Sequence, residues 1–145
     1  MQVAYQKQPS CADRVQAACD SRLSEIRELF DVYTGRQPAT EDITEDSFHE
    51  YGLAFDYVAP GTFEDQEEGY WRYQISWGGP SEEIRFYASP TGRGWHMHRA
   101  EFWFLDWFDG SHIILTGEHR ETAREVFEWF DEIDAVQCEI DKSGE

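Results

Sequence analysis

Apolar residues recur along the chain with two different periods, and the order in which those periods appear predicts the architecture. From Ser10, a residue suited to cap a helix, Val15, Ala18, Cys19, Leu23, Ile26, Phe30 and Tyr33 fall at helical spacing. The stem of Arg22 lies on the same stripe, and Gly35 ends the run. The stretch RQPATEDITEDSFHEYG offers caps at Thr40 and Thr44 and closes on Gly52, which predicts a loop with a short helix near residues 44–50. The period then changes to two. LAFDYV (53–58) and YWRYQISW (70–77) read as strands, the second with Trp71, Tyr73, Ile75 and Trp77 on one face and Arg72, Gln74 and Ser76 on the other. After the turn residues Gly78, Gly79 and Pro80, EEIRFYA resumes the alternation and SPTGRG breaks it again. A long strand from Trp95 to Phe108 follows, apolar at both parities near its end, which predicts a central place in the sheet. Asp109-Gly110 predicts the hairpin turn and SHIILT the returning strand. Thr116 is placed to cap a last helix from Gly117 to Ile133, with Ala123, Val126, Phe127, Phe130 and Ile133 on its apolar stripe.

Residues 1–9 are polar and close on Pro9, so they read as a flexible leader. The expectation is a single α+β domain over residues 10–145. Its antiparallel sheet of four to five strands carries an N-terminal and a C-terminal helix on one face.

Composition supports one core. A chain of 145 residues with 16% aromatics has enough apolar bulk to fold, despite a mean hydropathy of -0.70. Its six Trp exceed the usual needs of one small core, so one or two are expected on the outer sheet face as anchors for a partner. No run approaches a membrane span, and MQVAYQKQPS lacks the apolar centre of a signal peptide, which predicts a cytoplasmic protein with no membrane role. On one continuous helix Cys11 and Cys19 stand about 12 Å apart along the axis, too far for a disulfide, so reduced thiols are expected.

Charge changes the picture more. Thirty Asp and Glu against twelve Lys and Arg give a formal charge of -18, well past what solubility needs. Such a field repels phosphate backbones and anionic membranes and attracts basic surfaces, which argues against direct nucleic-acid binding. The acids are clustered. Glu41, Asp42, Glu45, Asp46 and Glu50 lie in one segment, and Glu64, Asp65, Glu67 and Glu68 in another. On the last helix Glu118, Glu121, Glu125, Glu128 and Glu132 are spaced 3, 4, 3 and 4, one stripe opposite the apolar one, with only Arg120 and Arg124 near enough to relieve it. In the first helix, by contrast, Arg14, Arg22 and Arg27 interleave with Asp20, Glu25 and Glu28, a nearly balanced outer face. The plain reading of the stripe is a solvated helix face. The functional one is a row of carboxylates standing in for a phosphate backbone inside a partner's basic groove.

Catalytic motifs are sparse. His96 and His98 share a strand face and suit one metal ion together with a carboxylate or His112, but no third ligand stands at a diagnostic spacing. Asp106 and Asp109, three apart on a strand, face opposite sides unless a bulge intervenes. Asp106 itself is expected to be satisfied locally by backbone or Trp N–H donors. TGRG lacks the Lys-Ser or Lys-Thr of a phosphate loop. No catalytic residue, metal or cofactor is assigned.

The stretches ISWGGPSEEIRFY (75–87) and EFWFLDWFDG (101–110) resemble a group of small acidic proteins of unassigned activity carried by bacterial phages and plasmids. GYW at 69–71 is similar to a group of anti-restriction proteins. The similarity covers the sheet region and leaves both helices unmatched. It implies a mobile-element setting in a bacterial host cell. Small acidic proteins of that setting resemble anti-restriction and anti-CRISPR proteins, some of which mimic nucleic acid. The leading expectation is an anti-defence protein that blocks the nucleic-acid path of a basic host nuclease or CRISPR effector through the three acidic segments. The rivals are a small metal- or carboxylate-dependent enzyme centred on His96, His98, Asp106 and Asp109, and a phage accessory protein whose aromatic sheet face builds a homodimer or larger oligomer.

Overall fold

The computed structural model describes residues 10–144; the leader expected at 1–9 lies outside them. The elements run α1 (Cys11–Tyr33), α2 (Ser47–Tyr51), β1 (Ala54–Val58), β2 (Tyr70–Ser76), β3 (Ser81–Pro90), β4 (Trp95–Asp106), β5 (Asp109–Ile114), α3 (Gly117–Glu132) and α4 (Ala135–Lys142). The strands form one antiparallel meander in chain order, so the fold is α+β, with β3 in the middle and β4 interior beside it. No helix among the described residues is long and apolar enough to cross a membrane.

Ser10 starts α1 with a capping box, its hydroxyl accepting from the Asp13 N–H while the Asp13 carboxylate accepts from the Ser10 N–H. The predicted apolar stripe of α1 is buried, Cys19, Leu23 and Ile26 completely. It packs with Val126 and Phe127 of α3 on the sheet face formed by Trp71, Tyr73, Ile84, Phe86, Phe102 and Phe104. Thr116 is the N-cap of α3, though without a side-chain hydrogen bond.

The arginines of α1 do not form the balanced outer face expected of them; long side chains carry their charges inward to other elements. Arg22 reaches the buried carboxylate of Glu82 on β3, with Nη2 to Oε1 at 2.8 Å, and also donates to the Tyr51 hydroxyl at 3.2 Å. Arg14 pairs with Asp106 at 2.7 Å, and Arg27 bonds Glu125 and Thr122 of α3.

Three further expectations change. Trp77 does not continue the packed face of β2. A register shift between Gln74 and Ser76 ends the strand, leaving Trp77 64% exposed. The β4–β5 turn consists of Trp107 and Phe108, because Asp106 pairs with Asp109 and Leu105 with Gly110. Gly110 serves close packing rather than the turn, since a Cβ there would sit 2.7 Å from the Leu105 side chain. As a result Asp106 and Asp109 are cross-strand neighbours on one face. Asp109 accepts from the Cys11 N–H at 2.8 Å, which holds its carboxyl below the usual range, while Asp106 is satisfied by Arg14 rather than by backbone or Trp donors. Finally, α3 ends at Glu132 with Ile133 exposed, and Asp134, at φ 66, turns the chain into α4. That extra helix covers the sheet where Trp71 Nε1 donates to the Val136 carbonyl at 3.0 Å.

The Arg22–Glu82 pair ties α1 to the middle strand. Arg22→Met strands a buried carboxylate and should cost roughly 3 kcal/mol of stability in urea unfolding, with Glu82→Gln/Arg22→Met recovering part of it.

Candidate functional site on the open face of the sheet

Helices cover one face of the sheet; the alternation of each strand sends a second set of side chains to the other. Strand pairing aligns Asp56, Arg72, Arg85 and Glu101 in one row across β1 to β4, and Gln74, Glu83, Trp103 and His112 in the next across β2 to β5. Tyr87 and Arg99 are paired beyond them. Arg72 donates to both Asp56 oxygens, at 3.0 and 2.7 Å, and this partner holds its guanidinium above the usual range. Arg85 donates Nε to Glu83 at 2.7 Å, and its guanidinium carbon lies over two rings, 3.7 Å from the Trp103 centroid and 4.6 Å from the Tyr70 centroid. Trp103 in turn stacks on His112 at 4.2 Å. Glu101 is the hub of the face, accepting from the Tyr87 hydroxyl at 3.2 Å, Trp103 Nε1 at 3.0 Å and Arg99 Nε at 3.2 Å.

Glu83 and Glu101 are therefore only 4% and 7% exposed on a sheet face with no helix over it. Stacked guanidiniums and rings provide part of the cover, and the β1–β2 connection provides the rest. Gln66 organises that loop by donating to the carbonyls of Ala59 and Glu68 and accepting from the Phe63 N–H. Glu68 then fastens it to Arg99 at 3.1 Å. Between loop and sheet lies a cavity of about 620 Å³, floored by Arg72, Arg85, Tyr70 and Trp103 and rimmed by residues 63–68. This is the size of a small-molecule site. Tyr70 lines it at 1% exposure, and its hydroxyl has no hydrogen-bond partner among the described residues. Burial pushes the Tyr70 and Tyr87 phenols above their usual range.

The acids expected to form a partner surface divide between the two sides of the molecule. Glu41, Asp42, Glu45 and Asp46 are exposed, outside every ion pair among the described residues, and lead into α2, whose Phe48 packs on Trp129 of α3. They belong to the helix layer, as do Glu118 and Glu132. Glu64, Asp65 and Glu67 are equally exposed but sit over the opposite sheet face. The α3 stripe is not a row of free carboxylates. Glu121 and Glu128 bracket Arg124, and Glu125 is drawn into the α1–α3 interface by Arg27 and Arg36. Burial opposes ionisation of Glu125, but these two guanidiniums hold its carboxyl below the usual range. Arg120 points away from the stripe, to the His98 carbonyl.

The candidate catalytic groups are not brought together. His96 and His98 are exposed near the start of β4 and Asp106 closes its far end, ten extended residues or roughly 30 Å away. A register shift between β3 and β4 leaves His98 without a β3 partner, and neither histidine belongs to a cluster with metal-ligand spacing among the described residues. Asp106 and Asp109 do share a face, but both are engaged in docking α1. Among the described residues the one cluster with metal-ligand spacing is Cys19, Asp20 and His119. There burial pushes the Cys19 thiol up to about 12, so it keeps its proton, and Asp20 is bonded to His119 Nε2 at 2.9 Å. Cys11, Cys19 and Cys138 are all free thiols.

The cavity was not visible as a unit in the sequence, although its parts were. Arg72, Glu83, Arg85, Arg99 and Glu101 stand at the polar parity of their strands, and charged residues alternating with aromatics there are the local signal. No family model, curated protein or solved structure matches the chain.

Glu101→Leu removes the acceptor shared by three donors and should destabilise the protein by roughly 2–4 kcal/mol. Tyr70→Phe, which removes a hydroxyl with no partner, should leave stability unchanged or slightly raised; thermal unfolding of both variants checks the contrast.

Proposed function

We propose that the protein acts by binding rather than catalysis, as an anti-defence protein of a mobile element. In this reading its acidic surface occupies the nucleic-acid path of a basic host nuclease or CRISPR effector. The observation that carries it is the set Glu41, Asp42, Glu45, Asp46 and Glu132, exposed and outside every ion pair among the described residues, around the α2 end of the helix layer, within a chain of formal charge -18. Carboxylates without internal partners are the ones able to meet an external cation, and a field of this sign steers a basic partner to them. The paired Glu121, Glu125 and Glu128 stabilise the helix layer and contribute to the field at longer range. The loop acids Glu64, Asp65 and Glu67 lie on the other side and are not part of this docking face.

The test is capture of an identified nuclease or CRISPR complex from bacterial lysate, with duplex DNA as competitor. Complex formation should weaken by roughly tenfold or more as salt rises from ~0.05 to ~0.2 M, and DNA should displace the protein. Replacing Glu41, Asp42, Glu45 and Asp46 by their amides should weaken capture without changing the melting temperature. Salt-independent binding that DNA does not affect would remove the electrostatic mechanism.

A second reading has its own observation. Trp77, Trp107 and Phe108, at 64%, 91% and 105% exposure, lie on the β2–β3 and β4–β5 turns at the same end of the sheet, where Gly79 approaches Asp106. Trp107 also holds φ 56, a backbone conformation that bulky residues avoid. Bare aromatics in such a position favour an interface between copies, the accessory-protein reading. Sedimentation should then show a dimer that Trp107→Ala/Phe108→Ala dissociates; a monomer at all concentrations would end this reading.

A further inference from the structure

The cavity on the open sheet face presents charges in an order that a protein-docking surface does not require. On its floor, Arg72 and Arg85 are direct cross-strand partners on one face, a like-charge pair that weakens a sheet unless something offsets it. Each commits part of its guanidinium to a flanking carboxylate, Arg72 to Asp56 and Arg85 to Glu83. No hydrogen bond among the described residues engages Nη1 of Arg72 or either Nη of Arg85, and the buried Tyr70 hydroxyl beside them has no partner. The rim has the opposite sign, with Glu64, Asp65 and Glu67 exposed on the loop and outside every ion pair among the described residues.

We propose that this cavity binds a free amino acid with a cationic side chain. Its carboxylate bridges Arg72 and Arg85, while its ammonium and side-chain cation lie under the acids of the loop. A simple anion would be repelled by that rim and by the charge of the whole chain, and a simple cation would meet two guanidiniums at the floor. A dipolar ligand satisfies both ends. Three arginines face five carboxylates in the lining, which favours a ligand of net positive charge over a neutral zwitterion. Phe63, half-exposed on the loop, gives an apolar wall for the side-chain stem, and a volume of about 620 Å³ holds such a molecule with water around it. Planar donors already held in place by Asp56 and Glu83 lose little freedom on gripping a carboxylate, which is the advantage of arginine at such a site.

The experiment titrates the isolated protein with L-arginine and L-lysine by calorimetry and by its intrinsic tryptophan fluorescence. Agmatine, which lacks the carboxylate, and acetate, which lacks the cation, are the controls. Saturable binding at a single site is expected for at least one of the two amino acids, with each control about tenfold weaker or worse. Arg72→Gln and the loop variant Glu64→Gln/Glu67→Gln should each weaken binding about tenfold. The loop variant touches no core residue, so it keeps the test informative if Arg72→Gln does not fold. Absence of saturable binding by either amino acid at millimolar concentration would overturn the proposal. So would agmatine binding as tightly as L-arginine, or affinity unchanged in the loop variant. No partner protein is present in this measurement, so its outcome is separate from that of the capture experiment.

Discussion

Helices pack on only one of the two faces of the five-stranded sheet, and most of the structure answers to that shortage. The covered face is solved in the ordinary way, with α1 and α3 laid over Trp71, Phe86, Phe102 and Phe104 and apolar area removed from water. Within that layer the charges serve geometry. Arg22 on Glu82 and the two hairpin carboxylates at the start of α1 fix where the helix sits on a surface that would otherwise let it slide. Buried ion pairs of this kind contribute less to net stability than to a unique arrangement, because desolvation offsets much of the attraction.

The other face is kept in order by polar means. Arg85 lies between the Tyr70 and Trp103 rings and Arg99 over Tyr87, their nitrogens bond the buried Glu83 and Glu101, and the β1–β2 loop folds over the result. Side chains of this kind cover apolar surface with their stems and rings while keeping hydrogen-bonding capacity at their tips. An arrangement built from groups that need partners leaves some of them facing the space under the loop. The cavity, with its half-engaged guanidiniums and a tyrosine hydroxyl without a partner among the described residues, is a consequence of how the uncovered face was closed. A sheet covered by helices on both sides would have had no reason to gather these residues.

The charge of the chain has two separate uses in this arrangement. In the helix layer, acids within reach of Arg27, Arg36 and Arg124 become structural, and those on the 41–46 segment stay exposed, outside every ion pair among the described residues. On the sheet side, the loop acids set the sign of an entrance rather than of a surface. The two groups lie on opposite sides of the sheet.

The sequence by itself determined the order of elements from α1 to α3, an antiparallel sheet, the capped start of α1 and the faces that Trp71, Tyr73, Ile75, Val126 and Phe127 bury. Those follow from period and local capping, which neighbours in sequence decide. Tertiary structure alone decided where the charges went. Whether Glu125 is a free stripe residue or an interface anchor depends on Arg27 and Arg36, and whether Asp106 and Asp109 face together depends on which two residues make the turn. The α4 helix was hidden because eight residues after a left-handed Asp134 carry little periodic signal, and the packing of Trp71 and Trp95 beneath them holds them in place. The cavity was hidden for the same physical reason. Its floor and rim come from strands and a loop far apart in the chain, and only the pairing of β1 through β4 puts Asp56, Arg72, Arg85 and Glu101 in one row.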